Sequence, residues 1–360
     1  MGTEIQSFPL ESYLAVLVRF LDAIQYCDTS YSREDGLAIL REVYSQTAQH
    51  FSRPEQKQSL NGISDRQLEV IMRTSAQVTV HCWTKLTPQE LTAVSIYWVY
   101  IVILDDSNDN PHDGMSSFFG DLVHGKPQRH GFWRAMNNYL PDLLANYGPF
   151  CSFSIVRGTL DYFEGCWIEQ YNTHGLRGSV NFPGFLRRLN GLGHVVGGTL
   201  FPSREFDDRV QRQFEQIASV TAETEPYTTL ANDLLSYFKE FDNSRDQVNL
   251  VRNWAYVEDM RIEDAFQRLA DETILTGERL VSMLKDLDPG FRETVLGLLH
   301  GYVTWHLCDQ RYRMADVYQL ASCLDSAEAA RFCEYYETTM RVWGFGIDDW
   351  AKTECLQNET

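Results

Sequence analysis

An all-α fold is predicted for this chain by three observations. Apolar residues recur at helical spacing in most long segments, alternating period-2 runs are scarce, and a helix-start signal precedes the most apolar stretch. No internal repeat, low-complexity tract or long linker divides the 360 residues. A single α-helical domain is therefore expected over 1–360, with its core at about 8–341 and a C-terminal tail at about 342–360.

Leu14, Leu17, Val18, Leu21 and Ile24 fall at i, i+3, i+4, i+7 and i+10, one face of a first helix. Helical segments near 33–49 and 65–84 follow. Thr87-Pro88-Gln89-Glu90 combines an N-cap, a proline at the first helical position and a capping-box glutamate. The helix it starts runs through Ile96 to Leu104 and is apolar on all sides, so it is expected to be central and buried all round. It should end near Asn110-Pro111, because a residue before proline disfavours the helical region. Further helices are expected near 133–146, 150–172, 182–200, 207–240, 246–253, 261–285, 290–320 and 326–341. Pro226 suggests a kink within its segment. The loop candidates are Arg53 to Gly62, Asn110 to Gly114, His174 to Gly178 and Pro202 to Arg204.

Composition narrows the function classes. The chain is 44% hydrophobic and 13% aromatic, ample material for a large core and a bar to disorder. A formal net charge of −19 opposes nucleic-acid and anionic-membrane binding, which need basic patches. The cysteines 27, 82, 151, 166, 308, 323, 333 and 355 show no CxxC spacing, zinc pattern or secreted disulfide framework. The N-terminus carries no basic-then-apolar leader, and the apolar stretch 93–104 is too short to span a bilayer. A soluble, cytoplasmic protein is expected.

Two acidic clusters carry the chemistry. The first is Asp105-Asp106-Ser107-Asn108-Asp109. Asp105 and Asp109 are four residues apart at the C-terminal end of the central helix, so they share one face. Mg²⁺ takes oxygen ligands, keeps several waters and is commonly held by one or two carboxylates plus substrate phosphates. Carboxylates at this end face the negative pole of the helix, so they need compensating cations. In the second cluster Asn232, Ser236 and Glu240 stand at i, i+4 and i+8, three oxygen ligands along one helix stripe. Lys239 falls within about 20° of Asn232 on that stripe, which makes sense if an anion sits there too. A diphosphate supplies that anion.

These residues resemble the two metal motifs of class I terpene cyclases. Longer blocks, 148–152, 160–172, 185–194 and 300–309, are similar to the fungal trichodiene synthase family over roughly residues 8–340. The resemblance implies a class I terpene cyclase helical bundle around a central active-site cavity, farnesyl diphosphate as substrate, three Mg²⁺ ions and a homodimer. It implies that Asp105 is the principal metal-binding aspartate and that Asn232, Ser236 and Glu240 hold the second metal position. Arg187, Lys239, Arg311 and Tyr312 match the diphosphate-binding groups. Asn190 and Gly191 match the positions that follow a diphosphate-sensing arginine. The implied activity is ionisation of farnesyl diphosphate and cyclisation to a sesquiterpene.

Metal and cations should stabilise the departing diphosphate, and an aromatic wall should tolerate the resulting carbocation. Tyr97, Trp98, Tyr100, Tyr162, Phe163, Tyr227, Tyr302 and Trp305 are the wall candidates. Histidines 81, 194, 300 and 306 lack an acidic partner or nucleophile motif nearby and are read as structural. The chain departs from the family at Asn110 (aspartate in the family), Gln310 (arginine), Trp98 (tyrosine) and most of all at 222–231. The product is accordingly trichodiene, another bisabolyl-derived polycycle or a longiborneol-type alcohol. A chain-elongating prenyltransferase would carry a second aspartate-rich box. A non-catalytic isoprenoid-diphosphate-binding protein need not retain both metal half-sites.

Overall fold

The computed structural model describes residues 8–60, 62–106, 114–171, 173–241 and 248–351. Among these residues the chain is helical, and its only strand-like feature is an isolated bridge between Tyr147 and Pro202. The helices are α1 (Leu10–Ala23), α2 (Arg33–Ser52), α3 (Pro54–Ser59), α4 (Asp65–Cys82), α5 (Pro88–Asp106), α6 (Met115–Val123), α7 (Gly131–Leu144), α8 (Pro149–Glu169) and α9 (Phe182–Asn190). They continue with α10 (Gly193–Thr199), α11 (Gln211–Phe241), α12 (Leu250–Glu258), α13 (Ile262–Met283) and α14 (Pro289–Cys308). A 3-10 turn (Gln310–Tyr312) then precedes α15 (Met314–Ala321), α16 (Ala327–Trp343) and α17 (Ile347–Trp350). No helix among the described residues is long and apolar enough to cross a membrane.

α5 is the central element. Its N-terminus is closed by the expected capping box: the Thr87 amide donates to Glu90 Oε2 at 2.8 Å and the Glu90 amide donates to Thr87 Oγ1 at 3.3 Å. Val94, Tyr97, Val99, Tyr100 and Ile103 are fully buried on different sides of it. α2, α4 and α7 pack around it. The expected boundary at Asn110-Pro111 lies outside the described residues.

Several stretches differ from the sequence expectation, among them α6, where no helix is expected. The loop expected from Arg53 to Gly62 contains α3, started by Pro54 at its first position. The segment 182–200 splits into α9 and α10 at Gly191-Leu192, where buried Leu192 takes the left-handed conformation with φ 54°. α10 then lies hard against α11. A Cβ on Gly193 would come within 2.4 Å of Glu225 Cα, and one on Gly197 within 2.9 Å of Thr221 Cα. No side chain fits between those backbones, so α10 cannot continue the line of α9.

The segment 290–320 breaks at Asp309. One oxygen of this buried carboxylate accepts from the Arg311 amide at 2.9 Å, and the other from Trp305 Nε1 at 3.1 Å and from Thr74 Oγ1. α11, by contrast, runs without a break through Pro226. Thr228 Oγ1 donates to Thr224 O and Thr229 Oγ1 to Glu225 O, both at 2.9 Å, on the turns beside Pro226. Part of the stretch read as a tail packs back on the bundle, with Trp343 against His81 and Trp350 against Tyr44.

Candidate active site

The first half of the site stands at the C-terminal end of α5. Asp105 Oδ2 pairs with Arg311 Nη2 at 2.8 Å, and Asp105 Oδ1 accepts from the Tyr162 hydroxyl at 3.2 Å. The Asp105 side chain is 45% exposed, so it is open to an incoming cation. Asp109 lies outside the described residues. The break at Asp309 sets the geometry of the other partner: the turn it caps carries Arg311 and Tyr312 back toward α5, whereas a continued helix would carry them away.

The second half lies on α11, where Asn232, Ser236 and Glu240 share the expected stripe. Arg187 on α9 reaches across to it. Its Nε donates to both oxygens of Asp233 at 3.0 Å, its Nη2 to Asn232 Oδ1 at 2.9 Å and its Nη1 to Asn190 Oδ1 at 2.9 Å. Burial disfavours the Arg187 charge, yet Asp233 holds the guanidinium above its ordinary range. Lys239 Nζ sits 3.9 Å from Glu240 Oε1 and 5.4 Å from the Tyr312 ring centre. Burial lifts the Glu240 carboxyl above its ordinary value against the pull of Lys239.

The two halves face one another across shared neighbours. Tyr312 lies 4.0 Å, centre to centre, from His306, whose Nε2 is 3.3 Å from Asn232 Nδ2. On the other side Asn190 donates to Glu169, whose carboxyl also feels Asp105. Tertiary packing thus gathers Asp105, Arg187, Asn232, Ser236, Lys239, Glu240, Arg311 and Tyr312 from four parts of the chain into one cluster.

The wall candidates divide. Tyr97 and Trp98 share the face of Asp105. The Tyr97 hydroxyl bonds Thr159 Oγ1 at 2.8 Å, and buried Trp98 Nε1 has no hydrogen-bond partner among the described residues. Tyr162 and Tyr302 border the two half-sites, the Tyr302 hydroxyl reaching the Asn232 side chain. Trp305 stacks edge-on to Tyr312 at 5.0 Å. Buried Tyr227 is held by Leu299 O at 2.8 Å. Phe163 packs instead into Trp133 and Phe118. Tyr100 stands apart as well. It is about 140° round α5 from Asp105, packs against Phe51 and Phe132, and donates to Gln56 at 2.9 Å. Aromatic character alone did not distinguish it; its angle on the helix does.

Sequence reasoning passed over Asp233, Glu169, Asn249 and the role of His306. Asp233 sits inside the second cluster, but off the stripe of the triad. Asn249 Nδ2 donates to Glu240 Oε2 at 3.3 Å, a contact no local spacing announces. His306 is fully buried; burial first, and then Lys239 and Arg311, lower it to about 3 against the opposing hydrogen bond to the Tyr302 carbonyl.

Glu169 yields a pH prediction. Burial, and next the Asp105 charge, raise it from 4.5 to about 7. A carboxyl with a folded value above its unfolded one binds more protons when folded, so its contribution to stability falls as pH rises through that window. Urea unfolding of metal-free protein should show stability declining between about pH 4.5 and 7, and Glu169→Gln should flatten that decline. An unchanged slope in the variant would remove Glu169 as its source.

The donors suit a hard cation. Ser236 Oγ is fully buried and lacks a hydrogen bond of normal geometry among the described residues. A buried hydroxyl left this way is costly unless something occupies its lone pairs. Among the described residues no three His, Cys, Asp or Glu side chains converge as a metal cage. One carboxylate with an amide and a hydroxyl instead fits Mg²⁺, which draws much of its shell from water and phosphate.

A family model described as trichodiene synthase (TRI5) matches residues 7–360. Trichodiene synthase of Stachybotrys chartarum is 40% identical over 347 residues, 96% of this chain and 90% of that protein. Among solved structures, linalool/nerolidol synthase from Streptomyces clavuligerus aligns with a TM-score of 0.56 at 15% identity, over 73% of this chain and 96% of its own. Isoprene synthase from grey poplar leaves, in complex with three Mg²⁺ ions and dimethylallyl-S-thiolodiphosphate, aligns with a TM-score of 0.50 at 14% identity, over 75% of this chain and 55% of its own.

Proposed function

Because the chain belongs to the trichodiene synthase family, we propose that it binds farnesyl diphosphate at the Asp105–Asn232 cluster, ionises it with Mg²⁺ and cyclises the cation to a sesquiterpene. The observation that carries this reading is the convergence of an oxygen-ligand triad, its Ser236 hydroxyl buried beside Glu240, on three cations and a phenol suited to a diphosphate.

Asn232, Ser236 and Glu240 would hold one Mg²⁺ and Asp105 would take part in holding others, three in all as in the family. Bound Mg²⁺ supplies Lewis-acid stabilisation of the diphosphate as it departs. Arg187 and Arg311 offer planar donor forks that match phosphate oxygens, Lys239 a point charge, and Tyr312 a hydroxyl. Both arginines are paired with carboxylates in the free protein, which keeps them in place for the substrate. Their charge acts where negative charge develops in the transition state. Tyr97, Trp98, Tyr302 and Trp305 would line the pocket, exclude water and tolerate the allylic cation. The family resemblance also supports a homodimer, and the free, buried thiols of Cys82, Cys151 and Cys166 suit a cytoplasmic location.

Incubation of the purified protein with farnesyl diphosphate and Mg²⁺ tests the reading, with volatile products identified by mass spectrometry. A fifteen-carbon cyclic product that disappears on chelation of Mg²⁺ is expected. No product from farnesyl, geranyl or geranylgeranyl diphosphate would overturn it in favour of non-catalytic binding. The same assay reads the skeleton. Trichodiene means that the altered stretch 222–231 keeps the family's template, and another sesquiterpene or an alcohol places the divergence there.

A further inference from the structure

We propose that His306 is a positioning residue that fixes the side-chain amide of Asn232 with Oδ1, not Nδ2, turned to Arg187 and the metal position. This rests on the Mg²⁺-binding role proposed above for Asn232. His306 Nδ1 lies 2.7 Å from Tyr302 O. A carbonyl only accepts, so Nδ1 carries a proton; Asn232 Oδ1 already accepts from Arg187, which leaves the Nδ2 donor facing Nε2 and makes Nε2 the accepting nitrogen. Its lone pair faces Asn232 at 3.3 Å and accepts only from Nδ2. Oδ1 is thereby kept turned to Arg187 Nη2 at 2.9 Å. A reversed amide would set two N–H groups against each other at Arg187 and two lone pairs against each other at His306.

The point of this arrangement is what happens when substrate arrives. In the free protein Arg187 and His306 enforce the same amide orientation. Once Arg187 engages a diphosphate, its hold on Asn232 weakens and His306 remains. The Tyr302 hydroxyl also reaches Asn232, but a hydroxyl donates or accepts and selects neither orientation. An asparagine serves a hard cation only through its oxygen, so a free amide would present the wrong end part of the time. The imidazole is itself held between rings, with Tyr312 at 4.0 Å, Trp305 at 4.6 Å and Tyr302 at 4.8 Å.

Two measurements test this. Nitrogen NMR of protein labelled at histidine, with His306→Gln to assign the signal, should show the Nδ1–H tautomer for His306. The Nε2–H tautomer or an imidazolium would overturn the proposal. Calorimetry with inorganic diphosphate and Mg²⁺ then compares the wild type, His306→Met and His306→Gln. Methionine offers no comparable acceptor, so Mg²⁺-dependent diphosphate binding should weaken about 10–100-fold, the range typical of residues that orient metal ligands. Its thermal midpoint should stay near that of the wild type. Glutamine, whose Oε1 accepts from Asn232, should recover part of the loss. Unchanged binding by the methionine variant, or glutamine no better than methionine, would overturn the proposal. A wild type that binds no diphosphate with Mg²⁺ would instead remove the metal role of Asn232, and the proposal with it.

Discussion

Asp105→Ala should lower kcat/KM for farnesyl diphosphate by about 10³-fold or more, the upper range for loss of one group that stabilises transition-state charge, while the protein stays folded. The activity loss follows from position. Asp105 is the described carboxylate that projects from the end of α5 toward Arg311 and Tyr162, opposite the Asn232 triad. The small stability effect follows from exposure. Its ion pair with Arg311 is partly open to solvent and is worth only ~0–1 kcal/mol by the usual behaviour of such pairs. The carboxylate also sits at the negative end of α5, where removing it relieves an unfavourable dipole contact. Steady-state kinetics over a Mg²⁺ series, with a thermal melt, check both halves. Wild-type turnover in the variant would place the metal elsewhere.

Asp233→Leu should cost ~3–5 kcal/mol of stability, because it strands the Arg187 guanidinium in the interior. The side chains are only 17% and 5% exposed, and Arg187 spends its Nε and part of its Nη2 on Asp233. The arginine cannot escape by losing its proton at ordinary pH. The double variant Arg187→Met/Asp233→Leu removes both charges and should recover most of the loss in denaturant unfolding. It should nonetheless remain inactive, because the diphosphate has lost Arg187. A double variant as unstable as Asp233→Leu would mean that the loss comes from packing. A double variant with wild-type turnover would show that Arg187 has no part in the reaction.

Most of the local architecture was readable before any tertiary contact was known. The helix through Ile96 to Leu104, its Thr87–Glu90 start and its burial on all sides follow from pattern and capping chemistry. So does the alignment of Asn232, Ser236 and Glu240, because i, i+4 and i+8 fall on one stripe of any α-helix. The resemblance to the family, carried by long blocks such as 160–172 and 300–309, extended this to the reaction class. Breaks inside apolar segments were less readable. Asp309 ends α14 through bonds to Thr74, 235 residues earlier in the chain, as well as to Trp305 and Arg311. α10 departs from α9 because Gly193 and Gly197 must touch α11.

The sequence by itself determined which residues share a helix face and which chemistry each half-site offers, since those depend on backbone geometry over a few turns. Tertiary structure alone decided that Asp105 meets Arg311 across 206 positions and that Arg187 is locked by Asp233 across 46. It also decided that Tyr100 faces the outer core, and that a buried histidine, read as merely structural, holds the amide of Asn232. Helix spacing repeats every few residues and is written locally. Which side chains close on one another from distant helices depends on how those helices pack, and no short pattern encodes that.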